Sequence, residues 1–225
     1  MEYSILFFIE IVSLLLLSQL LSKMLSSFFI KITHSVKVTI HLLSVIFLPG
    51  VMVHELAHWF MASILFVRTG DIEFLPQIQG DVVKLGSVAV AKTDPLRKTF
   101  IGVAPIIIGV LLMMLLFYYL APSIPAFNWQ TLVAAYLFFE IGNTMFSSRK
   151  DLEGTLFMVV GIVFIIALLY VFKIQVHVYV VNFLSLPTVA DFMKKLNGIM
   201  FIPLTIDIIL CSIGIIFGRR RNHYY

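Results

Sequence analysis

Charged residues are scarce in this chain: they make up 12% of its 225 residues, whereas hydrophobic residues make up 60%. Soluble globular domains usually carry about a quarter charged residues, so this composition excludes an ordinary soluble domain and predicts an integral membrane protein. The net charge of +4 does not indicate nucleic-acid binding, because the basic residues cluster at the ends of apolar runs, where they influence membrane topology. We therefore expect a lipid bilayer, and no nucleic acid, among its partners.

Cysteine is almost absent as well. Cys211 is the only one, so neither an intrachain disulfide nor a zinc site built from several thiolates is expected, and we predict a packing role for it. The N-terminal region lacks the basic residues and the small-residue cleavage site of a signal peptide. We expect its apolar run, Ile5 to Leu21, to be a retained helix. Without a targeting peptide, we expect a multi-pass protein of a prokaryotic cell membrane.

Six apolar segments approach the length needed to cross a bilayer core, about 20 apolar residues. They are residues 4–22, 38–66, 99–120, 130–147, 155–172 and 199–217. The second is longer than one span and contains Pro49-Gly50, where we expect a break or kink. The sequence thus predicts an all-α membrane protein with about six transmembrane helices, folded as a single polytopic domain over residues 1–225.

Residues 67–98 differ in character from the apolar segments on either side. They contain acids, bases, glycines and strand-like runs at Ile72–Leu75 and Val82–Ala91, which predict a small β-hairpin insertion at the membrane surface between spans two and three. Thr93-Asp94-Pro95 is typical of a helix N-cap followed by proline at the first helical position. A second β-prone run, Val176–Phe183, indicates a short interfacial element.

Lysine and arginine are unevenly shared between the loops that six spans would create. Ten would lie on the side that carries loop 67–98, loop 148–154 and residues 219–221, and six on the other side. Basic residues are more frequent in cytoplasmic loops. We therefore expect both termini, the hairpin and loop 148–154 in the cytoplasm.

The most specific motif is His54-Glu55-Leu56-Ala57-His58, within the second apolar segment. On a helix this spacing places two imidazoles on one face, as a zinc ion requires, beside a glutamate that can take a proton from the attacking water. Ionisable side chains are costly at bilayer depth, so a functional role is the default interpretation. We predict His54 and His58 as zinc ligands and Glu55 as the general base of peptide-bond hydrolysis.

A catalytic zinc usually has three protein ligands, so the two histidines leave one position open. The candidates are Asp151, Glu153, Glu140, Asp207 and His41. Asp151 can reach the metal only if its loop folds back into the bilayer, which flanking glycine and serine residues favour. Glu140 is about 10 Å from the end of its span at 1.5 Å per residue, nearer the depth of His54. We favour Asp151 as the third ligand, with Glu140 as the alternative. Glu140 can instead form a hydrogen bond between helices, and for Asp207 we prefer this hydrogen-bonding role.

These residues resemble the site-2 protease family of intramembrane zinc metallopeptidases, as a divergent member. The resemblance covers residues 45–155 and rests on His54-Glu55-x-x-His58, Gly102-x-x-Pro105 and a later Asn143…Asp151-x-x-Gly154 segment. It implies that His54, His58 and Asp151 bind Zn²⁺. It also implies that Glu55 is the general base and that Asn143 lies near the metal.

The expected substrates are membrane proteins or peptides, cut within or beside the bilayer. An exposed strand within residues 82–91 can hold an unwound substrate by strand addition, or the hairpin simply covers the cavity. Two other functions stay open: a metal-ion transporter or metal-binding membrane protein, and a catalytically silent scaffold. The sequence does not predict the oligomeric state.

Overall fold

The computed structural model describes the backbone of residues 2–79, 82–120, 128–146, 149–173 and 175–219, and their side chains except those of 77–79, 82–84, 149–159, 177 and 217–219. The helices are α1 (Glu2–Thr33), α2 (Val36–Ile46), α3 (Leu48–Ile64), α4 (Pro95–Leu120), α5 (Trp129–Thr144), α6 (Arg149–Val171), α7 (Val176–Leu184) and α8 (Pro187–Arg219). The strands are β1 (Thr69–Glu73), β2 (Gln77–Gln79), β3 (Val82–Lys84) and β4 (Ser87–Val90).

Three helices, α1, α4 and α8, are long and apolar enough to cross a membrane, and the bent pair α2–α3 is a fourth candidate. Helix α5 has 16 residues, about 24 Å at 1.5 Å per residue, which is shorter than the ~30 Å hydrocarbon core. Helix α6 has 23 residues, and the part of it whose side chains are described is the apolar stretch Val160–Val171. The chain is mostly helical, its described residues contain three or four candidate spans, and the predicted count of six is not confirmed.

The predicted break near Pro49-Gly50 is confirmed. Helices α2 and α3 meet at Phe47 and are bent by 72° relative to each other. Pro49 lies in the first turn of α3, where a residue without a backbone N–H is tolerated. The hydroxyl of Tyr136 on α5 donates a hydrogen bond to the carbonyl of Ile46 at 2.6 Å. Helix α5 therefore binds a backbone carbonyl at the break.

The insertion is a nested hairpin in which β1 pairs with β4 and β2 with β3, both antiparallel. A hairpin at the membrane surface would lie beyond the end of α3. This hairpin does not. Leu85 packs against the cluster that contains Phe47 and Val51, and Gly86 lies against Val51 and Glu55. Val51 and Ile64 are about 20 Å apart along the helix at 1.5 Å per residue, so the hairpin folds back along most of α3.

Helices α1 and α8 pack side by side and run in the same direction. Asn197 on α8 donates a hydrogen bond to the carbonyl of Tyr3 near the start of α1, and Gly214 lies against Met24, further along both helices. If both helices cross the membrane, the start of α1 and the end of α8 lie on opposite faces. The expectation that both termini share the cytoplasmic side, which depended on six spans, does not fit this packing.

The core forms where α5 contacts α1, α4 and α8. One buried cluster contains Leu14, Met113, Phe138, Ile141, Met145, Ile199, Met200 and Leu204. A second contains Leu21, Phe47, Val51, Phe139 and Cys211. The thiol of Cys211 is free and buried there, which agrees with the predicted packing role. Because α5 contributes to both clusters, it positions α3 relative to the remaining helices.

Two local predictions have opposite outcomes. Asp94 caps α4 as predicted: the N–H of Arg97 donates to Asp94 Oδ1 at 3.0 Å, and this hydrogen bond, with the nearby guanidinium, lowers the pKa of Asp94 below its ordinary value. The β-prone run Val176–Phe183 instead lies in helix α7. Strand propensity is a weak preference, and in apolar surroundings a helix satisfies every backbone hydrogen bond within its own segment.

Candidate metal centre

The two motif histidines lie on one face of α3, one turn apart, as their spacing predicts. Both are buried, His54 with 3% and His58 with 7% of its surface exposed. Their Nε2 atoms are 3.1 Å apart, and the two ring planes are inclined at 86°. The imidazoles therefore converge on one point through the same type of nitrogen.

This separation fits a shared metal ion. Two nitrogens bound to one tetrahedral zinc at about 2.0–2.1 Å lie about 3.3 Å from each other. The observed 3.1 Å is close to that value. The histidines can thus supply two of the ligands of a zinc ion with little movement of either ring.

His58 is held in one orientation by a backbone atom of α4. Its Nδ1 lies 2.7 Å from the carbonyl oxygen of Ile101, and the contact is buried. A carbonyl only accepts hydrogen bonds, so Nδ1 carries the hydrogen and Nε2 keeps its lone pair for a metal. This is the usual second contact of a zinc-binding histidine, which fixes both the tautomer and the ring.

Pro105 explains why this carbonyl is available. In an uninterrupted helix, the carbonyl of Ile101 would accept a hydrogen bond from the N–H of the residue four positions later. That residue is Pro105, inside α4, and proline has no backbone N–H. The carbonyl is therefore left for His58. The Gly102-x-x-Pro105 pattern, which the sequence offered only through a family resemblance, thus has a physical role at the site.

Glu55 lies beside the hairpin. It is 7% exposed, and a Cβ atom added at Gly86 would lie 3.1 Å from Glu55 Cγ and 2.6 Å from Val51 Cγ1. Only a residue without a side chain allows the strands to approach the helix so closely. The hairpin therefore forms one wall of the site next to the predicted general base.

A third ligand is not brought to the histidine pair by the described part of the chain, which contains no group of three His, Cys, Asp or Glu residues that could hold a metal ion. Asp151 lies in the first turn of α6, not in the predicted re-entrant loop. Its side chain, and that of Glu153, lie outside the described residues. The assignment of Asp151 as a ligand therefore stays a prediction.

Glu140, the alternative ligand, has a different partner. Its side chain is fully buried, and Oε2 accepts a hydrogen bond at 3.3 Å from the backbone N–H of Gly50. Gly50 is in the first turn of α3, where backbone N–H groups have no partner within the helix. Glu140 thus links α5 to the start of the histidine-bearing helix, which matches its other interpretation, a hydrogen bond between helices.

The remaining candidates are bound elsewhere. Asn143 donates a hydrogen bond to Asp207 Oδ1 at 2.8 Å, which joins α5 to α8. This confirms the hydrogen-bonding interpretation of Asp207, and it gives Asn143 a partner other than the histidine pair. His41 Nδ1 contacts the carbonyl of Lys37 within α2 at 2.8 Å.

The sequence missed the carbonyl of Ile101, since a backbone atom has no residue-type signal, although Pro105 one turn later marks it.

Comparisons with protein-family models, with curated proteins and with solved structures find no match to this chain. Its function therefore has to be inferred from its own residues and their geometry.

Proposed function

We propose that this protein is an intramembrane zinc metallopeptidase of the site-2 protease type, a multi-pass protein of a prokaryotic cell membrane. The observation that carries the proposal is the buried pair of imidazole Nε2 atoms, 3.1 Å apart, with Glu55 between the two histidines in sequence. His54 and His58 would hold Zn²⁺, with Asp151 as the proposed third ligand. A zinc ion held by these residues would supply an activated water and would polarise the substrate carbonyl.

Glu55 is the proposed general base. It takes a proton from the attacking water while the water oxygen forms its bond to the peptide carbonyl carbon. It then gives that proton to the leaving nitrogen as the C–N bond breaks, so the carboxylate is regenerated at the end of each turnover. His58 does not exchange protons in this scheme, because its Nδ1 hydrogen stays bonded to the carbonyl of Ile101.

The hairpin is the proposed holder of the substrate. A helical substrate hides its carbonyl groups, so it must unwind before it is cut. Strands β1 and β4 form a two-stranded ladder, and within the described strands each has one edge without a neighbouring strand. Strand β4 begins next to Gly86, which contacts Glu55. An extended segment added to this ladder would pass the general base, a mode of binding known for exposed sheet edges.

The substitution Glu55→Gln tests the proposal. We expect it to lower cleavage of a reporter with one transmembrane helix by about 10²–10⁴-fold, the usual contribution of a general base, while bound zinc is unchanged. Asp207→Asn is the matched control: it also neutralises a buried acid, but one that is bonded to Asn143. A Glu55→Gln protein that cleaves at the wild-type rate would show that Glu55 is not the general base. A wild-type protein that moves zinc across vesicle membranes and cleaves no reporter would favour the function of a metal-ion transporter.

A further inference from the structure

The joint between α2 and α3, residues 46–50, separates the two halves of one helical hydrogen bond. In a continuous helix, the N–H of Gly50 would donate to the carbonyl of Ile46, four residues earlier. The helix is interrupted at Phe47, and each of these two groups has a partner on α5 instead. The hydroxyl of Tyr136 donates to the Ile46 carbonyl at 2.6 Å, and the Gly50 N–H donates to Glu140 Oε2 at 3.3 Å.

The two side chains of α5 lie on the face that meets the joint. Tyr136 and Glu140 are four residues apart, so they project from the same side of the helix. The joint approaches this side closely, since a Cβ atom added at Gly50 would lie 2.7 Å from the carbonyl oxygen of Glu140 and 2.5 Å from Thr144 Oγ1. Glycine therefore brings the backbone of the joint within reach of both side chains.

The same two backbone groups can be satisfied in a second way. If the joint straightens, the Ile46 carbonyl and the Gly50 N–H can bond to each other, as in any helix. Pro49 has no N–H for the carbonyl of Val45, so it weakens this straight form without preventing it. The joint belongs to a candidate membrane span, where no water replaces a lost partner. It therefore has two discrete forms, the property of a hinge.

The form of the joint affects the wall of the metal centre. Leu43 and Ile46 of α2 pack against the buried cluster around Val51, and so does Leu85 of the hairpin. The hairpin lies beside Glu55 at this point. Straightening would withdraw α2 from the cluster, and the hairpin would lose part of its support next to the proposed general base.

We propose that Tyr136 and Glu140 form a clamp that holds the joint bent, and that the joint straightens when Ile46 and Gly50 bond to each other instead. The two α5 residues are thus positioning residues, which act on the site through the backbone of α2 and α3. For a peptidase, opening of the clamp would control access to Glu55. This consequence rests on the proposed function, whereas the two forms of the joint do not.

The bend is measured by double electron–electron resonance between spin labels at Val38→Cys on α2 and Ile64→Cys on α3. Both positions are exposed, and Cys211→Ser provides the background. Counted from Phe47, the two arms are about 13 and 26 Å long at 1.5 Å per residue. At the bend of 72° these arms place the labelled backbone positions about 32 Å apart, and in a straight helix about 39 Å apart.

We expect Tyr136→Phe and Glu140→Met, each alone, to keep the wild-type distance, because one hydrogen bond of the clamp remains. The double variant should lengthen the distance by about 5–7 Å, less than full straightening if Pro49 keeps a kink. In that variant, the two backbone groups of the joint can bond only to each other. Cleavage of the transmembrane reporter should fall in the same preparation while its zinc content stays at the wild-type level.

Tyr136→Phe combined with Glu140→Gln is the matched control. Glutamine keeps an oxygen acceptor for the N–H of Gly50, so this variant should stay bent. Pro49→Ala combined with Tyr136→Phe leaves the buried acid in place and provides a second route to the straight form. Its new N–H can bond to the carbonyl of Val45, so we expect the same lengthening.

Wild-type distances in both straightening variants would overturn the proposal. Full lengthening in the Glu140→Gln control would also overturn it, since the acceptor for Gly50 would then be irrelevant. Wild-type cleavage by a lengthened variant would show that the joint does not control the site. The distances require neither zinc nor cleavage, so they test the joint even if the chain proves not to be a peptidase.

Discussion

Pro105 affects the orientation of His58 because it has no backbone N–H hydrogen. Any other residue at this position would offer an N–H to the carbonyl of Ile101 within α4. That N–H would compete with Nδ1 of His58, which now uses the carbonyl at 2.7 Å. Second-sphere contacts of this kind fix the tautomer of a metal-binding histidine, so Pro105 is a positioning residue for the proposed zinc site.

We therefore expect Pro105→Ala to weaken zinc binding by about tenfold, at the lower end of the effects of second-sphere substitutions. Competition with a coloured chelator measures this affinity in the purified full chain. Pro203→Ala is the matched control, because Pro203 is also buried inside a helix but contacts Gly142. Equal zinc affinity in the Pro105 and Pro203 variants would show that the carbonyl of Ile101 does not orient His58.

At this scale, the sequence predicts the side chains of a site better than their partners. The positions of His54 and His58 on one helical face follow from their spacing, because helical periodicity is local. The hydrogen bonds of Glu140 to Gly50 and of Asn143 to Asp207 do not follow from it. They depend on which turns of distant helices meet, and nothing in the local sequence specifies that.

At the scale of elements, the contact between the hairpin and α3 defines the site. Gly86 is the point of closest approach, with Val51 and Glu55 on the other side. A methyl group at this position would overlap Val51, so the hairpin or the helix would have to shift. Such overpacking commonly costs about 1–3 kcal/mol. The wall beside Glu55 therefore depends on one residue without a side chain.

Gly86→Ala should displace the hairpin from Glu55 and reduce cleavage while the zinc content stays at the wild-type level. Cleavage of the transmembrane reporter and zinc analysis on the same preparation measure the two effects. Gly161→Ala serves as control, because a Cβ atom at Gly161 would meet nothing within 4 Å. Wild-type cleavage by the Gly86 variant would contradict the role of the hairpin as a wall of the site.

Elements with strong local signals are predictable, and their placement is not. The break near Pro49-Gly50 and the cap at Asp94 follow from proline geometry and side-chain capping, which act within one turn. The residues of the hairpin are also predictable, but alternation of side chains cannot show that it folds back along α3. For α7 the local prediction itself was wrong. Its β-branched residues favour a strand, but in an apolar environment the segment forms a helix, which satisfies the backbone hydrogen bonds within itself.

At the scale of the whole molecule, the parallel packing of α1 and α8 determines sidedness. The hydrogen bond from Asn197 to Tyr3 and the contact of Gly214 with Met24 set this direction. The sequence could not show it, because counting basic residues in loops depends on the number of spans assumed. One span more or fewer exchanges the sides of every later loop.

Single cysteines introduced into a Cys211→Ser background test this arrangement with a membrane-impermeant thiol reagent. Glu2→Cys should react from one side of the membrane, and Ile216→Cys and Lys31→Cys from the other, because the ends of α8 and α1 lie together. Cys211 is buried, so its removal leaves the reactive positions unchanged. Labelling of Glu2→Cys and Ile216→Cys from the same side would favour six alternating spans instead.

Metal analysis of the purified full chain shows whether His54 and His58 together hold a zinc ion. Asp151→Ala and Glu140→Ala belong in the same experiment, where we expect Asp151→Ala to lose zinc and Glu140→Ala to keep it. For the histidines, we predict about one zinc per wild-type chain and little in His54→Ala or His58→Ala, since each removes one of the usual three protein ligands. A wild-type chain that cannot take up zinc, or histidine variants that keep it fully, would show that the two histidines do not hold the metal.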